Sequence, residues 1–309
     1  MAHDHSNHTH HANTKTIFIS FLIITAYMIV EAIGGYVTNS LALLSDAGHM
    51  LSDSLSLGIA LIAFKLGEKA ATYRNTFGYK RFEIIAATLN GLTLIGIALF
   101  IFYEAIKRFT HPPEVATSGM LIISIIGLLV NVLVAWIMMR GGDTEDNLNM
   151  RGAFLHVISD MLGSVGAVIA ALLIMFFGWG WADPLASVIV AVLVLQSGYR
   201  VVKKSLHILL EGTPEQIDVE EVIDVIKRED GIEDIHDLHI WTITSGFIAM
   251  SCHAVVAEDL TVKGTEQVLR RLEPRLQHFG IKHITMQFET ENNPHDSAIL
   301  CDMEHGHEH

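Results

Sequence analysis

Cysteine is scarce in this chain. Cys252 and Cys301 are the two it has, too few for a disulfide framework and suited to a reducing compartment. Basic residues are also few: 20 Lys and Arg stand against 34 Asp and Glu, a formal net charge of −14, so there is no cationic footprint for nucleic acid. The Gly-rich Lys-Ser/Thr loop that cradles nucleotide phosphates is missing, as is the His-Glu-x-x-His of zinc peptidases. The first absence removes nucleotide hydrolysis as an energy source, and the second argues against an intramembrane metallohydrolase. No cleavable leader is evident. The first apolar run, Ile17–Val37, has the ~20-residue length of a true span and no convincing cleavage region.

What the chain has in abundance is apolar sequence. Half of its 309 residues are hydrophobic and the mean hydropathy is +0.40, which fits poorly with that acidity in one soluble domain. An apolar membrane half joined to an acidic soluble half reconciles the two. Six runs are long enough to cross a bilayer: Thr16–Val37, Leu41–Leu66, Phe82–Phe109, Thr117–Met139, Met150–Phe177 and Asp183–Leu206. One such run is ambiguous, but six in succession predict a helical membrane protein. The breaks carry turn residues at His111-Pro112-Pro113, Gly141-Gly142-Asp143-Thr144 and Gly178-Trp179-Gly180-Trp181, and the two tryptophans suit an interfacial anchor.

Loop charge predicts orientation. The second-to-third loop holds Lys65, Lys69, Arg74, Lys80 and Arg81; the fourth-to-fifth holds Arg140 and Arg151; Arg200, Lys203 and Lys204 follow the sixth run. The opposite side has only Lys107 and Arg108. The positive-inside rule therefore places both termini in the cytoplasm.

From about His207 the pattern becomes polar. Val219–Glu229 reads as an amphipathic helix, His236–Thr244 and Phe247–Val256 as a hairpin turning at Ser245-Gly246, Thr261–Phe279 as a second helix and His283–Glu289 as a last strand. That α-β-β-α-β order predicts a small α+β domain with helices on one face of a sheet. The chain thus divides into a His-rich tail (1–15), a six-helix membrane domain (16–206), an α+β domain (207–291) and a second His-containing tail (292–309). His3, His5, His8, His10, His11, His305, His307 and His309 crowd the two tails, expected to collect metal loosely rather than hold it in fixed geometry.

Ionisable groups deep in apolar helices cost several kcal/mol and are functional candidates by default. The second and fifth runs both contain His-x-x-Ser-Asp-x-Leu, at His49–Leu55 and His156–Leu162. In each copy the His and Asp lie four apart, on one helix face. An odd number of crossings separates the copies, so their helices run antiparallel, as inverted repeats around a midplane site would. His49, Asp53, His156 and Asp160 then form a tetrahedral N₂O₂ set suited to Zn²⁺, with Co²⁺, Cd²⁺ and Ni²⁺ as alternatives. Asp46, one turn before His49, is expected as an entrance or supporting group or as a structural residue. Glu31, Asn90 and Asn131 are expected as packing or hydration residues.

The stretches Asn39-Ser40-Leu41-Ala42-Leu43-Leu44-Ser45-Asp46-Ala47-Gly48-His49, Phe77-Gly78-Tyr79-Lys80-Arg81-Phe82-Glu83, His156-Val157-Ile158-Ser159-Asp160 and His236-Asp237-Leu238-His239-Ile240-Trp241 resemble those of the cation diffusion facilitator transporters. Over the whole chain the sequence closely resembles bacterial cobalt–zinc–cadmium resistance efflux proteins. It implies a homodimer in the cell membrane, metal/proton exchange with K⁺ as another proposed counter-ion, and a ferredoxin-like cytoplasmic domain. Its transport site falls on the same four residues, in the form similar to that of zinc-selective members. It also implies zinc in the cytoplasmic domain, at His236, His253, His283 and Glu289. A charge pair between Arg81 and Glu211 is implied too, while an additional site in the second-to-third loop is expected to be missing, because that loop has no histidine.

The reading that results is a secondary transporter, not an enzyme, exporting Zn²⁺ against protons by alternating access. A membrane-anchored metal sensor is the rival of another class. Six runs and a duplicated buried motif are more than an anchor needs.

Overall fold

The structure, a computed structural model, describes residues 6–51, 54, 71–140, 148–291 and 299; of 6–21, 138–140 and 148–159 it describes the backbone alone. The described residues divide into two compact units, one from the chain up to Leu61 with Ala86–Val202, the other from the segment before Ala86 with Lys203 onward.

The first unit is helical: α1 (Ser6–Thr38), α2 (41–51), α3 (Phe82–Thr110), α4 (Thr117–Arg140), α5 (Leu148–Phe177) and α6 (Ala182–Leu209). Among the described residues, Phe82–Thr110, Thr117–Ile137, Asp160–Phe177 and Ala182–Leu209 are long and apolar enough to cross a membrane, and α1 adds the shorter apolar stretch Leu22–Thr38. Of the second expected span the structure describes α2; residues 55–70, expected to continue it, lie outside the described residues. These helices are apolar all round, and side chains such as Leu99, Phe100, Tyr103, Ile106 and Phe176 point outward. In water such a surface is an association liability; against lipid it is solvated. Helix–helix contact runs instead through small residues. Ala42, Ala167, Ala170 and Ala171 cluster with Leu43 and Met120, so α2, α4 and α5 approach closely.

The second unit contains α7 (Val219–Lys227), β1 (Asp234–Thr244), β2 (Phe247–Val255), α8 (Val262–His278) and β3 (Ile281–Glu289), the expected α-β-β-α-β order. Each helix begins on a side-chain cap: Asp218 accepts from the amides of Glu220 and Glu221, and Thr261 accepts from that of Gly264. The sheet order is β1-β2-β3, with β1/β2 antiparallel and β2/β3 parallel. Ile240, Met250, Cys252, Ala254, Val268, Leu272 and Leu276 join in one core against α7 and α8. Strand alternation sends His236, His253 and Glu289 to the opposite face.

The segment preceding α3 belongs to this second unit, where it docks on the hairpin tip. Thr244 Oγ1 and Ser245 Oγ donate to the two carboxylate oxygens of Glu83 at 2.6 and 2.7 Å. Lys80 Nζ lies 4.2 Å over the Phe247 ring, and Arg81 pairs with Glu211 at 2.9 Å. That ion pair is solvent-exposed on both sides and contributes little, so the Glu83 contacts carry most of the attachment. Replacing Glu83 with Ala removes a charged acceptor shared by two hydroxyls and is expected to cost about 1–3 kcal/mol locally. Hydrogen exchange reads this as faster exchange at the β1–β2 turn; unchanged protection there would show that the attachment lies elsewhere.

Candidate metal centres

The intramembrane centre begins with the placement of α2. Its first amides would be unsatisfied in lipid. The buried carboxylate of Asp183, in the first turn of α6, answers them. It accepts from Ser40 Oγ at 2.6 Å, Leu41 N at 2.8 Å and Ala42 N at 3.1 Å. Arg108 of α3 lies 3.7 Å from the same carboxylate and donates to the Asn39 carbonyl at 2.7 Å. Asn39 adopts φ 57°, which turns the chain from α1 into α2. A negative charge at a helix N-terminus also suits the helix dipole.

With α2 fixed, His49 two turns further faces α5. His49 Nε2 lies 3.6 Å from Asp160 Oδ1, and Asp160 is buried. Two ligands about 2.0–2.2 Å from one tetrahedral zinc stand roughly 3.4 Å apart, so this pair has the span of two donors on one ion. A cavity of about 190 Å³ adjoins it, lined by Asp46, His49, Gly163 and, from α6, Gln196, Ser197 and Arg200. His156 lies one turn before Asp160 on α5, with its backbone alone described; Asp53 lies outside the described residues.

The second centre sits on the open face of the sheet. His236 and His253 are directly opposed across β1 and β2, their ring centroids 5.1 Å apart. Glu289 reaches both: Oε1 lies 2.9 Å from His236 Nε2, and Oε2 lies 3.2 Å from His253 Nδ1. One ligand atom from each of the three falls within 4.8 Å of the others, the convergence a zinc ion needs.

His283 is not brought into this cluster. It pairs with Ala249 and sits six residues from Glu289 on β3, about 20 Å away at strand rise, with its ring edge-on to Phe77. The position opposite His253 is Gln287. Sequence reasoning missed Asp237, which lies in a β-bulge at φ 50° with Oδ2 3.8 Å from His253 Nε2 and Oδ1 3.0 Å from His239 Nε2. An Asp beside a His at a strand start was the available signal; the bulge that turns both toward the same face was not visible. Cys252 points into the helix-side core, where burial, and secondarily Asp237, push its thiol up to about 12. It is no ligand.

The chain matches the family model described as the cation efflux transmembrane domain over residues 17–210 and that described as the cation efflux protein cytoplasmic domain over residues 214–291. Among curated proteins it is 68% identical to a cadmium, cobalt and zinc/H(+)-K(+) antiporter of Bacillus subtilis, over 96% of this chain and 95% of the relative. It is 42% identical to the zinc transporter ZitB of Pectobacterium atrosepticum, over 99% and 92%. It is 40% identical to the metal cation efflux system protein CzcD of Cupriavidus metallidurans, over 93% and 89%. The chain therefore belongs to the cation efflux family, and is a membrane cation transporter rather than an enzyme.

Two outcomes follow from these geometries. Asp183→Ala leaves the buried α2 amides and Ser40 hydroxyl without their acceptor, a change expected to cost about 1–3 kcal/mol or more; thermal unfolding in detergent checks it, and a wild-type melting curve would contradict the capping role. His253→Ala and Glu289→Gln are each expected to abolish one Zn²⁺ equivalent in titration calorimetry of the full chain, whereas His283→Ala is expected to keep it.

Proposed function

We propose that this chain exports Zn²⁺, with Cd²⁺ and Co²⁺ as further substrates, from the cytoplasm in exchange for protons. It acts as a homodimer in the bacterial cell membrane, with six spans and both termini cytoplasmic. The observation that carries this reading is the 3.6 Å approach of His49 and Asp160 across α2 and α5, helices that bear the same motif. Asp53 and His156 complete the donor set in this reading, each one turn from its partner.

His and Asp bind a metal only when deprotonated, so loading Zn²⁺ from the cytoplasm releases protons. In the outward-facing state protons re-enter and displace the metal. The inward proton gradient supplies the energy, and alternating access moves the site between the two sides. K⁺ as an additional counter-ion is supported by the Bacillus subtilis relative, a cadmium, cobalt and zinc/H(+)-K(+) antiporter. The His236–His253–Glu289 cluster is proposed as a cytoplasmic zinc site, regulatory or structural, and the ferredoxin-like description belongs to that domain.

Proteoliposomes with an imposed pH gradient test the central claim. Unmodified protein is expected to move Zn²⁺ in a gradient-dependent way, and Asp53→Ala and Asp160→Ala to abolish flux while remaining folded. Normal flux in the substituted proteins would discard this site. No flux in the unmodified protein would favour the sensor reading.

A further inference from the structure

The cluster on the sheet brings together three donors, His236, His253 and Glu289, whereas a closed zinc site takes four. Asp237 is the nearest further carboxylate, and it stands behind a ligand rather than among them. His253 Nδ1 is turned to Glu289 at 3.2 Å, and its Nε2 to Asp237 at 3.8 Å. A carboxylate at the ring nitrogen away from the metal orients a histidine ligand. The fourth donor is then a water, or a group from elsewhere in the chain.

One backbone contact points to the chain. β1 is an edge strand of the sheet, and its register against β2 shifts between His236 and His239. Asp237 has φ 50° in this bulge, and Leu238 has no register partner on β2. The Leu238 amide donates instead to the Ile299 carbonyl at 2.9 Å. Ile299 lies well past the end of β3 at Glu289 and is half-buried. A main-chain bond to the outer side of an edge strand is how an extended segment is added to a sheet, and here the segment is the chain's own C-terminal tail.

The bond falls beside the cluster. His236 is two residues from Leu238 along β1, about 7 Å at strand rise. Cys301 is two residues from Ile299, and two residues of extended chain span at most about 7 Å. A tail running antiparallel to β1 from this bond brings Cys301 opposite His236, and opposed residues of antiparallel strands share a face. Cys252, the other sulfur, points into the helix-side core. Residues 300–309 lie outside the described residues.

We infer that the C-terminal tail closes the cytoplasmic metal site, with Cys301 as the fourth ligand beside His236, His253 and Glu289. The inference rests on reading that cluster as a zinc site and assigns its remaining donor. When zinc binds, the Cys301 S–H bond breaks, the proton goes to water, and a Zn–S bond forms in place of a bound water. Two imidazoles, a carboxylate and a thiolate suit Zn²⁺, and the thiolate extends the preference to softer ions.

Absorption spectroscopy of the full, reduced chain loaded with Co²⁺ tests this. A thiolate on Co²⁺ gives a near-ultraviolet charge-transfer band that nitrogen and oxygen donors do not give. The intramembrane donors are imidazole and carboxylate, so that band reports a cysteine ligand alone. The unmodified protein is expected to show it. Cys301→Ser, removal of residues 300–309, and His253→Ala are each expected to lose it, while Cys252→Ala keeps it. Cys301→Ser is also expected to bind the cytoplasmic Zn²⁺ equivalent at least tenfold more weakly, since losing even a supporting partner of a ligand costs about 10–100-fold. If the band is absent from the unmodified protein while His253→Ala still removes one Zn²⁺ equivalent, the tail ligand is overturned and the cluster stands as a metal site. If His253→Ala and Glu289→Gln keep both the band and the full Zn²⁺ stoichiometry, the tail binds metal without the sheet, and both readings fall.

Discussion

The carboxylate of Asp183 at the start of α2 is the contact on which the membrane half depends. In lipid a helix N-terminus has no water to satisfy its amides, and a protein charge must do so from a neighbouring helix. Asp183 comes from α6 and is balanced by Arg108 from α3, so one ion pair fixes three helices at one level. It lies two turns from His49 along α2, and it sets the rotation and depth of that helix. The 3.6 Å approach of His49 to Asp160 follows from this placement as much as from the ligands themselves.

The same scarcity of water makes every polar side chain in this half consequential. Asn131 and Ser164, unremarkable in a soluble core, form with Asp46 a connected group beside His49 and Asp160. Small residues keep the space open, and Gly163 in particular separates α5 from the Asp46 carboxylate. Packing and polarity here are one problem, because the Asp46 carboxylate requires a neighbouring residue without a side chain.

Much of this was legible in the sequence because membrane and strand patterns leave strong periodic marks. The helix and strand positions after residue 207 match expectation to within two or three residues: the helix expected at Val219–Glu229 spans Val219–Lys227, and the hairpin turns at Ser245 and Gly246. The His49 and Asp160 positions stood out because charge in an apolar run is costly. His236, His253 and Glu289 come together, and His283 does not, for a register reason. Alternation places a residue on a face, but only strand pairing says how far along it sits, and β3 pairs in parallel after a long crossover. Asp183 was hidden for another reason: its role is to hold another helix, which leaves no local pattern. Asn131 was read singly as a packing residue, since nothing in its own helix shows that it meets Ser164 and Asp46.

The hairpin has the His236–His253–Glu289 cluster at one end and its attachment to Glu83 at the other. From His236 to Thr244 is eight residues of β1, about 26 Å of paired strand. A hydrogen-bonded ribbon of that length transmits torsion better than it stretches. Drawing His236, His253 and Glu289 onto one ion would adjust the twist at the root, and the far end would sweep through a larger arc than the root. Thr244 and Ser245 grip the first turn of α3 at that far end. Within this unit the strand therefore joins the His236–His253–Glu289 cluster and the Glu83 contact as the two ends of one ribbon.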